Sequence, residues 1–486
     1  MCKFTLFFTL EKFILRVYVL GHITSTAPRL FSCLRLLAKK DISYRDKAIA
    51  LIRALGAALA VDGFPTFCAA VIGGSTVLPM LFSRVCTSTC TRARSGYILN
   101  RVRLVRFFSA FLSAWLSFLL LNRKRDSSRN FNRTPNSHPV RQGQQIVLLD
   151  TEDKHKLDER RTPQLAGRTL DLTLFAVTRA ADVIACIAWS CWRHRRQGRS
   201  RWTSVETLVP WLADVGVFAG SAAVVMWTWF YIPDRLPRSY EKWIKEVAKV
   251  DTRLIEALRR ARRGDFVYGK DTGQAELLGS MCEDYNWPIE WGNPLKTIPI
   301  PCEMVHMGTG PSCEWHAVSR FLQTFKCACA TYLPLQLLLR TWTKHPRAAL
   351  VRATKDATRS SFFLALFVST FYYSVCLART RLGPKLFNMK TVTPMMWDSG
   401  LCITAGCLAC GWSIFAESAH RRQEIALFVA PRAVATTLPR RYAKQYQYRE
   451  QTAFALSTAI ILTTIQEKPE IVRGFFGKII HRLLAP

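Results

Sequence analysis

Four residues in one short stretch have the types and spacing for metal chemistry. The segment PIPCEMVHMGTGPSCEWHAVSRF, residues 299–321, carries Cys302, His306, Cys313 and His316. Two thiols and two imidazoles in so short a loop form a tetrahedral zinc ligand set. Two other readings stand beside it: a Cys302–Cys313 disulfide, or four structural side chains with no ligand. Compartment separates them, because a cytosol-facing loop keeps thiols reduced and an oxidising lumen favours the bridge. Cys282 lies close enough in sequence to compete for a place.

A second set of candidates consists of charges inside apolar blocks: Arg179, Asp182, Asp214, Asp398 and Arg432. A charge at a bilayer centre costs about 2.5–3.5 kcal/mol on insertion scales, so such residues pair or face a polar cavity. Arg179 and Asp182 are three apart, on one helical face, and can neutralise each other. Arg432 has Asp398 and Glu424 as candidate partners, or a backbone carbonyl near Pro431. All five converging on one cavity would make a polar pathway.

No other chemistry is written in the chain. It has no phosphate-cradling glycine loop, no GxSxG elbow and no HExxH helix. Glu303 with His306 could form an acid/base pair, but nothing in the sequence anchors it. The reading is therefore non-enzymatic, with no cofactor beyond a structural zinc.

The elements that position these residues are apolar blocks. The 486 residues are 49% hydrophobic, and the apolarity is concentrated in stretches of about 15–25 residues, close to the 20 that cross a bilayer as a helix. These blocks lie near 49–82, 104–121, 170–190, 209–231, 328–342, 362–378, 395–415, 425–436 and 452–465. The expected fold is all-α: a polytopic helical membrane protein of about eight spans. In the second block Ala110, Ser113, Ala114 and Ser117 place small residues where helix backbones can approach closely.

The parts between and around the blocks divide the chain further. Residues 1–47 form a basic amphipathic segment, without the clean apolar core and cleavage site of a secretory signal. Residues 48–121 hold the first spans. Residues 122–167 are rich in Ser, Asn, Pro, Gln and Arg and read as a disordered loop. The third and fourth spans occupy 168–232, an extramembrane helix and the Cys/His loop 233–324, the second membrane half 325–466, and a basic tail 467–486.

The formal charge of +34 comes from 68 Lys and Arg against 34 Asp and Glu. The basic residues cluster at block ends, as in Arg123-Lys124-Arg125 and around Arg193–Arg201, where anionic headgroups attract them. The lipid bilayer is thus the expected partner, with protein partners or a second copy beside it. Nucleic acid is not, since no soluble segment shows a basic face interleaved with aromatics. Most of the 16 cysteines cannot form a secreted disulfide framework in so long and apolar a chain. Both loops flanking the third block are basic, so the positive-inside rule gives opposite orientations from its two ends.

The two halves also resemble each other. Asp171–Ala180 aligns without gaps on Glu424–Ala433, Phe218–Ala223 resembles Phe454–Ala459, and Ala114-Trp115 resembles Gly411-Trp412. A duplication would give two parallel four-span repeats.

The Cys302-x3-His306-x6-Cys313 loop, followed by Phe321 and an apolar block, is similar to the cysteine-rich N-terminal region of the transmembrane protein 135 family. The stretches GRTLDLTLFAVTRAADV, FYIPDRLPRSYEKWI and CEMVHMGTGPSCEWH look like those of its fungal members. That family is distantly linked to mitochondrial translocase channel subunits and the peroxisomal 24 kDa membrane protein. The resemblance covers roughly residues 165–440. It implies a multi-span protein of peroxisomal or mitochondrial membranes, connected with organelle dynamics and lipid or metabolite handling, and it supplies no catalytic residues. The alternative function is a transporter or channel with a polar pathway between two repeats.

Overall fold

The computed structural model describes residues 15–26, 45, 49, 52, 56, 63–87, 95–123, 165–198, 203–338, 346–388 and 390–484. The polar loop expected at 122–167 falls almost entirely outside them, as does most of the basic amphipathic N-terminal segment.

The longer helices are α1 (Phe64–Thr87), α2 (Ser95–Asn122), α3 (Leu170–Gln197), α4 (Ser204–Tyr231), α5 (Arg238–Ala248), α6 (Thr252–Arg263) and α7 (Ala275–Asp284). They are followed by the short α8 (Cys302–His306), then α9 (Cys313–Leu338), α10 (Pro346–Cys376), α11 (Cys402–Cys410), α12 (Ala419–Thr437), α13 (Gln447–Glu467) and α14 (Gly474–Leu484). The only pairing of strands among the described residues is β1 (Leu165–Ala166) against β2 (Tyr442–Ala443), antiparallel. The protein is all-α and polytopic.

Six segments among the described residues are long and apolar enough to cross a membrane: Phe64–Phe82, Arg101–Asn122, Leu170–Gln197, Ser204–Tyr231, Pro346–Leu386 and Pro394–Ala416. The sequence reading of about eight is for the whole chain; six is the number among the described residues. The described parts of the blocks near 328–342, 425–436 and 452–465 lie in α9, α12 and α13, which also carry polar residues such as Arg320, Arg421, Arg422 and Glu450.

The chain divides into two compact units, residues 1–195 with 440–486, and residues 196–439. Neither coincides with a sequence half. In the first unit α2 packs against α1 and α13. Gly74 permits the closest approach: a Cβ there would strike Ser113, whose hydroxyl donates to the carbonyls of Ala70 (2.8 Å) and Val71 (2.9 Å). The small-residue stripe Ala110, Ser113, Ala114, Ser117 is buried at this contact, as helix packing in lipid favours. Glu450, at the start of α13, is buried and accepts from Thr169 (2.5 Å), Thr173 (3.1 Å) and the Tyr442 hydroxyl.

In the second unit α4 begins at Thr203, whose N–H donates to Glu206 Oε2 at 2.7 Å, half of a capping box. The helix stops ahead of Pro233, and Arg259 of α6 donates to its terminal carbonyls at Phe230 (2.5 Å) and Trp229 (3.1 Å). A cation there complements the negative end of the helix dipole. Helices α6 to α8 enclose their own core of Leu254, Ala257, Phe266, Leu278, Met281 and Met304, to which Cys282 belongs. Tyr372 of α10 donates to the Ala248 carbonyl at the end of α5 at 3.0 Å.

Candidate metal centre

Cys302 opens α8 directly after Pro301, and His306 closes it one turn later. A single helical turn thus puts the Cys302 sulfur and the His306 ring on one face. Met307, Gly308 and Gly310 then all have positive φ (51°, 81° and 99°). The chain reverses through them, and Cys313 arrives at the first position of α9. Gly308 has a second reason to be glycine, since a Cβ would lie 3.2 Å from the Tyr285 ring.

The fourth group comes from far along the chain. Cys376 is the last residue of α10, where the helix widens into a π turn at Leu377–Leu382. The four donor atoms of Cys302, His306, Cys313 and Cys376 all lie within 4.8 Å of one another. Cys302 Sγ is 3.6 Å from Cys313 Sγ, 3.8 Å from Cys376 Sγ and 3.4 Å from His306 Nε2; Cys376 Sγ is 3.5 Å from the same nitrogen. A tetrahedron with zinc–sulfur bonds of about 2.3 Å and a zinc–nitrogen bond of about 2.05 Å has edges of about 3.8 Å between sulfurs and about 3.6 Å between sulfur and nitrogen. The observed separations fall close to those edges.

The surroundings prepare the donors. His306 Nδ1 donates to the Gly310 carbonyl at 2.7 Å, which fixes the tautomer and turns Nε2 toward the sulfurs, as in most histidine–metal sites. The Cys302 thiol is held down at about 4 by hydrogen bonds from Cys376 and His306, against its burial. Cys313 is pushed up by burial and by the Cys302 charge beside it. Burial works to lower His306, yet its bonds to Cys302 and Gly310 leave it raised. All four cysteines of this region, Cys282 included, are free thiols.

Comparison with protein-family models, curated proteins and solved structures finds no match.

Three of the four sequence candidates come together. The fourth, His316, does not join them, and Cys376 stands where it was expected. His316 is fully buried, stacks on His306 with ring centroids 4.7 Å apart, and shares a 2.6 Å hydrogen bond at Nδ1 with Thr309. Burial and Arg320 push it down to about 3, so it is a neutral packing residue behind the cluster. The signal for Cys376 was a cysteine at the end of an apolar block, indistinguishable in sequence from cysteines that behave as small hydrophobes.

The charges in the apolar blocks are satisfied separately within each unit. In the first unit Arg473 holds Asp182 (Nε to Oδ2, 3.4 Å) while its carbonyl accepts from Arg179 at 3.4 Å. Arg179 also lies over the Phe175 and Phe476 rings at 5.3 and 5.5 Å. In the second unit Asp398 pairs with Arg379 (2.6 and 2.8 Å) and accepts from the Tyr268 hydroxyl at 2.5 Å. Of the partners open to Arg432, Asp398 is thus taken by Arg379. Arg432 donates to the Phe428 carbonyl and sits over the Phe428 ring at 3.6 Å, and Asp214 is half-buried on α4. Arg379 is three residues beyond Cys376, so the ion pair also anchors the π turn that presents the distant sulfur.

Proposed function

We propose that this chain is a non-enzymatic integral membrane protein whose Cys302, His306, Cys313 and Cys376 hold a structural zinc ion. The observation that carries this reading is that three sulfurs and one imidazole nitrogen lie within 4.8 Å of one another, four of their separations close to tetrahedral edges, with four protein ligands and no position left for substrate. Zinc there joins the α6–α8 module to the end of α10, an apolar helix long enough to span a bilayer. A module that small gains much of its stability from such a staple.

The resemblance of the Cys302–Cys313 loop to the transmembrane protein 135 family supports a peroxisomal or mitochondrial membrane, with a role in organelle dynamics or in lipid and metabolite handling. The duplication is proposed with it. The matched segments pack alike: Trp115 accepts from Gln451 on the helix of Phe454 (3.1 Å), and Gly411 abuts Ala219 on the helix of Phe218. Each unit would then combine the last helix of one repeat with the body of the other.

Chelation tests the staple. A site kept at 1,000 times its Kd stabilises the fold by about 4.1 kcal/mol, so a strong zinc chelator should lower the melting temperature of the purified protein measurably. Unchanged melting with zinc removed would overturn the structural role. A tagged copy seen outside peroxisomes and mitochondria would overturn the organelle assignment.

A further inference from the structure

The second unit contains a half-open cavity of about 540 Å³ that the metal centre does not use. It lies between α4, α5, α9, α10 and α12, and its volume falls within the range of about 300–1,000 Å³ that holds small-molecule ligands. The walls are largely apolar, with Phe218, Val225, Phe363, Phe367 and Phe428 among the lining side chains. One end is polar. There the Ser360 hydroxyl donates to Glu417 Oε1 at 2.7 Å, and Arg421 donates to Ser360 and lies 3.8 Å from Glu417. Glu424 and Tyr332 line the same cavity. The Glu417 side chain is 1% exposed.

A buried carboxylate costs free energy unless it is paired, so this polar end is a built feature. Its charges decide which headgroup fits. Glu417 and Arg421 answer each other there, so this end offers no unmatched charge to an anionic or cationic head. A hydroxyl suits it, donating to a glutamate and accepting from Arg421.

The cavity also has a roof suited to a membrane surface. Helix α5 turns Tyr240, Trp243, Ile244 and Val247 toward the cavity and leaves Arg238, Lys242 and Lys245 exposed. Exposed cations on a helix beside spanning segments are drawn to anionic headgroups. The neighbouring walls, α4 and α10, belong to segments long enough to span. An apolar cavity among such segments is open to a lipid.

We propose that this cavity binds one uncharged lipid bearing a hydroxyl head, of the acylglycerol or sterol class, with the head at Glu417, Arg421 and Ser360 and the apolar body against the phenylalanines. This names a ligand class for the lipid-handling part of the reading above and rests on it.

The test uses the purified full-length protein in detergent and radiolabelled monoacylglycerol, with the fatty acid and the primary alkylamine of equal chain length as competitors. Saturable binding near one per chain is expected, with at least tenfold weaker competition from the fatty acid. Leu364→Trp and Ala222→Phe each place bulk into the cavity and should weaken binding tenfold or more, with zinc content and melting checked on the same samples. Absence of saturable binding by protein that melts normally overturns the proposal. So does wild-type affinity in both filled variants, or preference for the fatty acid or the amine. Binding needs neither an organelle nor an intact metal site, so a protein that binds monoacylglycerol but resides elsewhere overturns only the organelle reading.

Discussion

Replacing Asp398 with leucine removes one partner from an ion pair whose side chains are only 4% and 2% exposed. Breaking such a pair from one side costs about 3–5 kcal/mol, because the remaining charge stays buried. The Tyr268 hydroxyl would lose its acceptor as well, adding about 1–3 kcal/mol. Arg379→Leu should be milder. The abandoned Asp398 can take up a proton, whereas a guanidinium cannot release one. The double variant Arg379→Leu/Asp398→Leu removes both charges and leaves mainly the tyrosine unsatisfied, about 1–3 kcal/mol. The three variants should therefore be strongly non-additive, with the double variant more stable than Asp398→Leu alone. Denaturant unfolding in detergent micelles reads this cycle directly. Additive costs, or single-variant losses within about 0.5 kcal/mol of zero, would refute the reasoning.

Other expectations follow from individual contacts. Gly74→Leu must displace Ser113 from the α1–α2 contact and should cost about 1–3 kcal/mol by overpacking, seen as a lower melting temperature. Glu450→Leu leaves the buried hydroxyls of Thr169 and Thr173 without their acceptor, and should cost at least about 2 kcal/mol in the same assay. Thiol labelling should modify exposed Cys191 far faster than buried Cys402, Cys407 and Cys410 in folded, detergent-solubilised protein; equal rates would contradict the packing of α11.

The helical membrane architecture was legible because apolar blocks of spanning length are a composition signal. The standing of α9, α12 and α13 was less legible, since they mix apolar runs with buried or half-buried polar groups such as Arg320 and Glu450. Cys302, His306 and Cys313 could be grouped from spacing alone, as one helical turn and a glycine reversal bring them together. Cys376 could not. It approaches through the packing of α10 against α9, which pattern does not reveal. His316 had an equally suggestive spacing, but its ring points to Thr309. Asp398 announced itself as a buried charge, while its partner Arg379 lay hidden in a π turn that no periodicity predicts.

Metal analysis of four purified proteins tests the central claim most directly: wild type, Cys376→Ser, His306→Leu and His316→Leu. One zinc per chain is predicted in the wild type and in His316→Leu, with loss in the other two. A zinc-free wild type, or retention in Cys376→Ser together with loss in His316→Leu, would contradict the account.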